Sequence, residues 1–553
     1  RAYYNLEILK RFGGYPLVKT VLTTSDDLNI PRSTYDECVD YIVDLCGQAA
    51  ELLPITYATN QLGRATKGAA LALKARTLLY AASPLFNDPT QVDDTFEHGK
   101  YDASKWEKAA EAAAAVIKLN TYGLYTDGKG YEDFFYTLDK NNEIILSRMC
   151  AAHNDVERLN GPVSITNGEG GTCPSLNLVN DYEMIDGKAF DWNNPEHAAN
   201  PFANRDPRFE KSILYNGSTW MNNMVVETFT GGKDFTGVKA TRTGFYIRKF
   251  CNISASWNAP IGKAFHCFPL LRYGDLLLMY AEAMNEAYGP DTDSKGYGLT
   301  ARQAVALIRE RAGLTGNIDL SETVPAGNRE KMRIAIQHER RIELAFEEHR
   351  HLDLRRWKLA EQVLNQPVLG LKIDKKEDGT FTYTPQVVES REFTPKMYLY
   401  PFPHKKKNMR NIYLLLVSIL FCSSILAQEI TVKGRVISQE EPDGIPGVAI
   451  MVKGTTTGTV TDVDGNYSIK ANAKAVLQFS SIGYTPYEVV VGDRGIINVE
   501  LQTSVEQLEE VVVVGYGEQK KASIVGSVSN MKNDDLKRAA PSNLTAAIGG
   551  RVT

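Results

Sequence analysis

The sequence lacks the cysteine and histidine patterns that are typical of metal-binding and disulfide-bonded proteins. It has 553 residues, and its seven cysteines form neither a CxxC pair nor a zinc-binding spacing. Cys38 and Cys46 lie on one predicted helix, roughly 12 Å apart at 1.5 Å per residue, which is too far for a disulfide. We therefore expect scattered buried thiols, no metal and no cofactor. The cysteines are Cys38, Cys46, Cys150, Cys173, Cys251, Cys267 and Cys422.

The sequence also lacks an excess of charge of either sign. Its formal net charge is -5 at pH 7, and no stripe of basic residues is interleaved with aromatic ones. A nucleic-acid partner is therefore not expected. A hydrophobic content of 43% and a charged content of 23% are ordinary for globular protein, and the length allows several domains.

An apolar run long enough to cross a membrane as a helix is missing as well. The run at residues 412–426 has 15 residues, and a spanning helix needs about 20. Three lysines at 405–407 and Arg410 precede the run, and Ala427 follows it. This layout predicts a secretory signal peptide over residues 405–427 with Met409 at its start. The alternative is a buried core helix.

A signal peptide in the middle of a chain predicts two joined proteins. A gene-calling error, a frameshift or a real fusion would each produce this arrangement. A lipoprotein signal is not expected, because Phe421 precedes Cys422 where a small residue is required. The chain also begins with Arg1 inside a predicted helix, so we expect a fragment or a processed product.

Helical periodicity dominates residues 1–404. A cap at Ser33 and Asp36 predicts the start of the second helix, which stops before Pro54. Small residues such as Ala113 and Ala114 predict close helix packing, similar to tetratricopeptide pairs. Residues 120–265 are rich in Gly, Asn, Pro and aromatics, which indicates loops and short strands. The predicted helices cover residues 33–53, 67–82, 101–119, 272–287, 300–312 and 329–359.

Eight strings in residues 1–404 occur in a characteristic order. They are RAYYNLEILKRFGGYPLV (1–18), NRDPRF (204–209), TGFYIRKF (243–250), RYGDLLLMYAEA (272–283), IRERAG (308–313), ERRIELAFEEHR (339–350), LDLRRW (352–357) and YLYPFP (398–403). In this order they resemble the SusD/RagB family of outer-membrane glycan-binding proteins. The resemblance implies a mainly α fold of tetratricopeptide-like pairs. It also implies a lipid anchor in the outer membrane and non-catalytic capture of glycans for a SusC-like TonB-dependent transporter. The family's lipidated cysteine and first segment have no counterpart here.

Aromatic residues beside amides in the loop-rich middle are the candidate glycan contacts. Sugar rings stack on aromatic faces, while amides bond their hydroxyls. Packing in a core is the alternative for each of them. We assign Trp106 and Trp357, which lie in helical patterns, to packing. The candidate contacts are Trp192, Tyr215, Asn216, Trp220 and Trp257.

The acids near Glu343 raise a second hypothesis, a glycoside hydrolase with paired carboxylates. Glu343 and Glu347 share one predicted helical face with Arg340 and Arg350, which favours structural ion pairs over catalysis. We expect no catalytic residue and no enzyme activity. A third hypothesis is a peptide-binding or scaffold protein that acts as a lid on the transporter.

After Gln428 the hydrophobic period changes to two, which predicts a small β-sandwich over residues 428–503. The Asp462–Asn466 segment lacks the ligands of a calcium loop and predicts a hairpin turn. The strings GRV (434–436), GIPGV (444–448), TDVDGNY (461–467) and SIGY (481–484) resemble the carboxypeptidase-regulatory-like domain that opens SusC-like transporters.

Residues 504–553 resemble the TonB box and the beginning of a plug domain. The string EEVVVVGYG (509–517) carries the resemblance. Val511, Val512, Val513 and Val514 are β-prone and could add a strand to the sheet of a TonB protein. The alternative is one more strand of the sandwich. With this piece, residues 409–553 resemble the N-terminal part of a transporter.

Overall fold

The computed structural model describes residues 1–23, 25–26, 28–88, 101–128, 130–137, 141–165, 168–252, 263–402, 429–504, 511–513 and 518–520. The chain divides into two compact units, Arg1–Pro403 and His404–Thr553. The predicted signal peptide at 405–427 and most of the predicted plug segment lie outside the described residues.

Helices dominate the first unit, as the periodicity predicts. α1 to α4 pack with α9, α10 and α11 around one hydrophobic core. Small buried alanines on α3 and α4 allow these two helices to lie close together. The helices are α1 (Ala2–Phe12), α2 (Tyr35–Leu52), α3 (Lys67–Ala82), α4 (Ser104–Ile117), α5 (Asp155–Asn160), α6 (Leu176–Asp181), α7 (Pro195–Ala199), α8 (Pro207–Ser212), α9 (Tyr273–Tyr288), α10 (Ala301–Ala312), α11 (Arg329–Glu343), α12 (Arg350–Arg356) and α13 (Ala360–Leu364).

The start of α2 differs by one residue from the sequence prediction. Thr34, rather than Ser33, is the N-cap, and its side chain accepts a hydrogen bond from the backbone N–H of Glu37. The Glu37 carboxylate in turn accepts from the backbone N–H of Thr34, which completes a capping box. Ser33 instead donates its backbone N–H to the Tyr15 carbonyl. Both residues could cap, and the reciprocal bond to Glu37 decides for Thr34.

The single helix predicted over residues 329–359 is wrong. α11 ends at Glu343, and the chain turns before α12 begins at Arg350. Phe346 and Glu348 have positive φ angles of 65° and 62°, which no α-helix accommodates. The break carries the intervening acid, Glu347, away from the face of α11.

The strands that the structure describes in the first unit form four antiparallel pairs, two of which lie wholly in the loop-rich middle. Each strand of those two pairs has only two residues, so loops carry much of residues 120–265. The pairs are β1 (Ile144–Met149) with β6 (Cys267–Arg272), β2 (Ile213–Leu214) with β5 (Tyr246–Ile247), β3 (Thr219–Trp220) with β4 (Met224–Val225), and β7 (Val368–Lys375) with β8 (Phe381–Glu389).

The second unit contains the predicted β-sandwich. One sheet has the order β11-β10-β13-β14 and the other β12-β9-β15. Alternate residues of both sheets enter one core, with β12 alternating strictly between exposed and buried. The strands are β9 (Glu429–Ile437), β10 (Ala449–Val452), β11 (Gly458–Val460), β12 (Asn466–Asn472), β13 (Val476–Ser480), β14 (Tyr487–Val490), β15 (Val499–Glu500), β16 (Val511–Val513) and β17 (Glu518–Lys520).

The first and last strands of the sandwich, β9 and β15, run parallel to each other. The backbone N–H groups of Ile497 and Leu501 donate to the carbonyls of Lys433 and Ile437, each at 2.8 Å. Gly434 makes this pairing possible, because a Cβ at that position would lie 1.8 Å from the Ile497 carbonyl oxygen.

The predicted hairpin at Asp462–Asn466 is a turn, but it does not form a hairpin. β11 and β12 on its two sides belong to different sheets, so the turn carries the chain across the sandwich. Asp462 holds it by accepting the backbone N–H groups of Asp464 and Asn466. The sequence shows the turn residues but not the sheet that each flanking strand joins.

None of the helices in the described part of the chain combines the length and hydropathy of a bilayer crossing. The six cysteines in that part, which excludes Cys422, are all free thiols. Burial raises the pKa of Cys46 and of Cys267 to about 12, so these thiols stay protonated.

Candidate functional site

The four described candidate glycan contacts differ in burial. Trp220 is 5% exposed and packs in a small core, and Asn216 is buried with its Oδ1 accepting from the Thr228 backbone. Tyr215 is half-buried against Phe202, with ring centroids 4.5 Å apart. Burial keeps Trp220 and Asn216 out of reach of solvent. Sequence alone does not show this, because the same aromatic–amide pairs occur in cores and on surfaces.

Trp192 contacts a residue that lines a cavity. It is half-buried, and its indole N–H donates to Asn180 Oδ1 at 3.0 Å. Asn180 in turn lines a cavity of about 610 Å³. Trp257 lies outside the described residues, and its contact with glycan stays a prediction, as do those of the other four residues.

Trp106 and Trp357 have the packing role that the sequence predicts. Each is 6% exposed. The Trp357 indole N–H donates to Glu282 at 2.7 Å, which satisfies its polar group inside the core.

The acids near Glu343 form a buried ion-pair network. Arg272 is its centre, bonding Glu143 at 2.7 Å, Glu343 at 2.8 Å and Glu347 at 2.7 Å. Arg311 adds further contacts to Glu143 and Glu343. All five side chains are nearly inaccessible to solvent.

Two further cations complete the network. Arg208 bonds Glu343 at 2.9 Å, and Lys249 bonds Glu347 at 2.8 Å. Ion pairing at Glu343 and Glu347 is therefore present, but the predicted partners are wrong. Arg340 pairs instead with Asp275 and Asp353, and Arg350 forms no ion pair among the described residues. The helix break at residues 344–349 is the reason, since it removes the shared helical face.

The protonation of these acids is unsuited to glycoside hydrolysis. Burial alone would raise the pKa of Glu343, but Arg311, Arg272 and Arg208 hold it well below its usual range. Arg272 and Lys249 likewise overcome burial and lower the pKa of Glu347. A glycosidase acid needs the opposite shift, so that it keeps a proton to donate. The network therefore favours the structural hypothesis over the catalytic one.

A separate cavity of about 310 Å³ has the composition of a small sugar site. We name it the tyrosine pocket, lined among others by Tyr57, Gln61, Arg64, Tyr122 and Asn142. Its two tyrosines are half-buried, while the amides of Gln61 and Asn142 are exposed. Neither amide side chain has a hydrogen-bond partner among the described residues, so both can bond a ligand.

Local structure positions the two tyrosines. The Tyr122 hydroxyl bonds Thr66 Oγ1 at 2.8 Å, and the ring lies against α3 where Gly68 leaves room. A Cβ on Gly68 would come within 2.3 Å of that ring. The Arg64 guanidinium lies over Tyr57, 5.2 Å from the ring centre.

The 610 Å³ cavity is more strongly charged. We name it the arginine pocket, lined among others by Asn180, Arg341, Phe346, Arg350 and Arg391. Its charged lining consists of three arginines and one aspartate, Asp181. No group of acids, histidines or cysteines in the described ranges has the arrangement of a metal site.

Sequence reasoning missed both pockets. The tyrosine pocket joins residues 55–66, which follow α2, to residues 121–122 and 141–149. The signal within reach was Tyr57 in the loop after Pro54, followed closely by the amides Asn60 and Gln61. The arginine pocket depends on the turn between α11 and α12, which the helical periodicity concealed.

Comparison with known proteins shows what the first unit resembles. Residues 137–411 match the SusD family, and residues 1–79 match a family described as starch-binding associating with outer membrane. The first unit is SusD-like. Residues 432–513 match the CarboxypepD_reg-like domain, which confirms the resemblance to the carboxypeptidase-regulatory-like domain.

Solved structures share the fold of the SusD-like unit. A SusD-like protein from Bacteroides fragilis has 29% identity and a TM-score of 0.59, over 74% of this chain and 76% of that one. A SusD-like carbohydrate binding protein from the same species has 25% identity and a TM-score of 0.60, over 74% and 77%.

Curated relatives resemble each piece in turn. SusD-like protein P38 of Formosa agariphila is 24% identical over 390 residues, 68% of each chain. TonB-dependent receptor SusC of Bacteroides thetaiotaomicron is 39% identical over 150 residues, 27% of this chain. The chain spans only 15% of the length of that receptor.

Proposed function

We propose that the SusD-like unit binds glycans at the cell surface without chemical conversion and delivers them to a SusC-like TonB-dependent outer-membrane transporter. The observation that carries this proposal is the shared fold with a SusD-like carbohydrate binding protein over 74% of the chain. The match of residues 1–79 to a family described as associating with outer membrane supports the location.

The tyrosine pocket is the proposed glycan site. Tyr57 and Tyr122 offer apolar ring faces, and Gln61 and Asn142 offer free amides at its rim. Trp192, Tyr215, Asn216, Trp220 and Trp257 are retained as proposed contacts from the sequence. Of these, Trp192 is the best placed, since it is half-buried and bonds Asn180, which lines the 610 Å³ cavity.

The buried acid network supports a binding role rather than an enzymatic one. Glu143, Glu343 and Glu347 are each held by at least one arginine and have almost no exposed surface. A substrate could not reach them without disrupting the core. Their contribution is to stabilise the fold around the binding surface.

The proposed partnership with a transporter rests on the second unit. Its CarboxypepD_reg-like match and its likeness to a receptor named SusC both support a role beside such a transporter. We further propose that residues 509–517, with Val511 to Val514 at their centre, bind TonB by adding a strand to its sheet. β16 and β17 pair there as a short antiparallel ribbon, and Val514 lies outside the described residues.

The glycan proposal is tested by titrating the full chain with a panel of oligosaccharides in a calorimeter. We expect saturable binding of at least one glycan, weakened about tenfold in Tyr57→Ala or Asn142→Ala, since losing one stacking or hydrogen-bond contact costs about 1–2 kcal/mol. Tyr4→Ala is the matched control, because Tyr4 is 73% exposed and lies outside the pocket.

Three other outcomes are informative. Binding that survives Tyr57→Ala and Asn142→Ala, but is lost in Trp192→Ala, moves the site to the sequence-derived candidates. Release of shortened products would support the hydrolase hypothesis instead. Absence of binding to every glycan by a folded protein would contradict the proposal and favour a peptide-binding or lid role.

A further inference from the structure

Arg350 in the arginine pocket lacks an anionic partner. Its Nε is buried without a hydrogen-bond partner, and no ion pair forms to it within the described part of the chain. Buried Arg205 likewise forms no ion pair among the described residues, but it donates to three backbone carbonyls. Several other buried arginines pair with acids. Arg208 and Arg356, for example, each bond two or more carboxylates. A guanidinium left unpaired at a cavity wall is costly unless a ligand satisfies it.

The surroundings of Arg350 increase this cost. Burial and the positive charge of Arg341 lower the pKa of Arg350 to about 10, although Asp353 and Asp181 oppose this shift, and Arg350 remains charged at neutral pH. Asp181 is the one acid of the pocket lining, and it pairs with Arg341. Arg391 directs its donors to the carbonyls of Gln366 and Val363. The pocket therefore carries excess positive charge.

Asn180 adds a free donor to the same wall. The Trp192 indole can only donate, so the atom of Asn180 that it contacts must be the oxygen, Oδ1. This fixes the orientation of the amide and makes its other atom Nδ2. No described residue accepts a hydrogen bond from that Nδ2. The pocket thus offers an oriented amide donor beside an unpaired guanidinium.

The size and remaining lining suit a saccharide residue rather than a lone ion. The cavity of about 610 Å³ lies within the range of small-molecule sites. Half-buried Phe346 provides an apolar surface, and its positive φ angle holds it at the turn between α11 and α12. Donors, positive charge and one aromatic face together match a sugar ring that carries an acidic group.

We propose that the arginine pocket binds an acidic saccharide residue, with Arg350 pairing to its carboxylate or sulfate group and Asn180 Nδ2 donating to a neighbouring oxygen. This inference rests on the proposed glycan-binding function and adds a preference for anionic glycans. It requires no change in the buried network, whose arginines are already paired.

The test compares glycans that differ only in charge. The full chain is titrated at low salt with oligogalacturonate and with its neutral methyl ester, and in a second arm with a sulfated oligosaccharide and its desulfated form. We expect one acidic form to bind at least tenfold more tightly than its neutral counterpart. The arm that responds distinguishes carboxylate from sulfate.

Two variants assign the effect to the pocket. Arg350→Gln should abolish the preference for the acidic form, whereas Arg329→Gln, an exposed arginine at the start of α11, should retain it. Asn180→Asp preserves the Oδ1 acceptor for Trp192 but replaces the free donor by a negative charge. It should weaken the acidic form and leave the neutral form unchanged, which gives a second test if Arg350→Gln folds poorly.

The alternative outcomes separate this inference from the proposed function. Equal affinity for acidic and neutral forms overturns the anionic pocket and leaves glycan binding intact. Loss of preference in Arg329→Gln as well indicates general charge attraction and also overturns the pocket. Absence of binding to all four saccharides overturns the anionic pocket, whereas the proposed glycan function is overturned only if the wider oligosaccharide panel also gives no binding.

Discussion

At the scale of single residues, Arg272 is the arginine that connects the three carboxylates of the buried network in the SusD-like unit. It bonds Glu143, Glu343 and Glu347, and its Nη2 also donates to the Glu343 carbonyl at 3.0 Å. Because it is the N-cap of α9 and contacts both Glu343 at the end of α11 and Glu347 in the turn that follows, it joins segments that are distant in sequence. Its pKa is raised well above the usual value, because those carboxylates overcome the effect of burial.

Replacing Arg272 should therefore destabilise the unit severely. We expect Arg272→Ala to lower the free energy of unfolding by about 3–5 kcal/mol, because three buried carboxylates lose their shared partner. Urea unfolding followed by tryptophan fluorescence measures this, since all five tryptophans precede residue 403. The exposed Arg329→Ala is the control and should change stability by less than about 0.5 kcal/mol. A small loss in Arg272→Ala would show that water or relaxation replaces the arginine.

The sequence predicts part of this chemistry. The crowding of charges at residues 339–357 indicates ion pairs, and ion pairs are present. The partners were not predictable, because Arg272 and Glu343 are 71 positions apart and no helical spacing relates them. The sequence also does not show that Arg350 is unpaired, because the spacing of a continuous helix places Arg350 beside Glu347.

At the scale of secondary-structure elements, strongly periodic helices were predicted well. α3 occupies residues 67–82 as expected, since its Ala- and Leu-rich run ends cleanly at Ser83 and Pro84. α10 begins after a Thr300 cap and ends at Gly313 in the left-handed conformation. The break after α11 was missed because its residues, including Leu344 and Ala345, are good helix formers. Tertiary pairing of Glu347 overrides that preference.

Glu348 provides a direct test of this break. Its φ angle of 62° is strained for a residue with a side chain, and that side chain is exposed. We expect Glu348→Gly to raise the free energy of unfolding by about 1 kcal/mol, because glycine adopts this angle without strain. Thermal unfolding measured by fluorescence reports the change.

Glu377→Gly is the matched control for Glu348→Gly. Glu377 is also exposed, but it lies in the turn between β7 and β8 and is not among the residues with positive φ. Glycine there should leave stability unchanged or lower it by up to about 1 kcal/mol. A lower melting temperature in Glu348→Gly would mean that the glutamate side chain contributes more than its backbone strain costs.

At the scale of the whole molecule, the two units have separate cores and different classes of fold. The change of hydrophobic period near residue 428 predicted this difference, and residues 432–513 match a domain of their own. The joining segment at 405–427 lies outside the described residues, so the signal-peptide interpretation stays a prediction. The sugar-contact residues were the least predictable feature, since a pocket is assembled from segments that the sequence keeps apart.

The buried charges should make the SusD-like unit sensitive to acid. Burial lowers the pKa of His349 to about 4, and Arg340 and Arg356 overcome burial to hold the pKa of Asp353 at about 2. In both cases the unfolded chain binds protons at a higher pH than the folded one. Each group therefore contributes stability at pH values above its pKa in the unfolded chain. This contribution is lost as the pH falls, from about 6.5 to 4 for His349 and from about 4 to 2 for Asp353.

Urea titrations monitored by tryptophan fluorescence between pH 7 and pH 3 measure this loss. We expect the free energy of unfolding to decrease by about 3 kcal/mol or more over that range, with each pKa unit of difference worth about 1.4 kcal/mol. His349→Gln should remove most of the decrease between about pH 6.5 and pH 4, and it should leave the decrease below about pH 4 unchanged. A profile that is flat from pH 7 to pH 4 in the unaltered chain would contradict the assignment to His349.

The parallel pairing of β9 with β15 has a mechanical consequence. Because these terminal strands of the sandwich run in the same direction, the chain enters at one end of the pair and leaves toward the other. Tension applied to the two ends would slide one strand along the other and strain several hydrogen bonds at once, including those of Ile497 and Leu501. Bonds that share a force fail later than bonds that open one by one. The sandwich is therefore expected to stay folded while it transmits a pull along the chain.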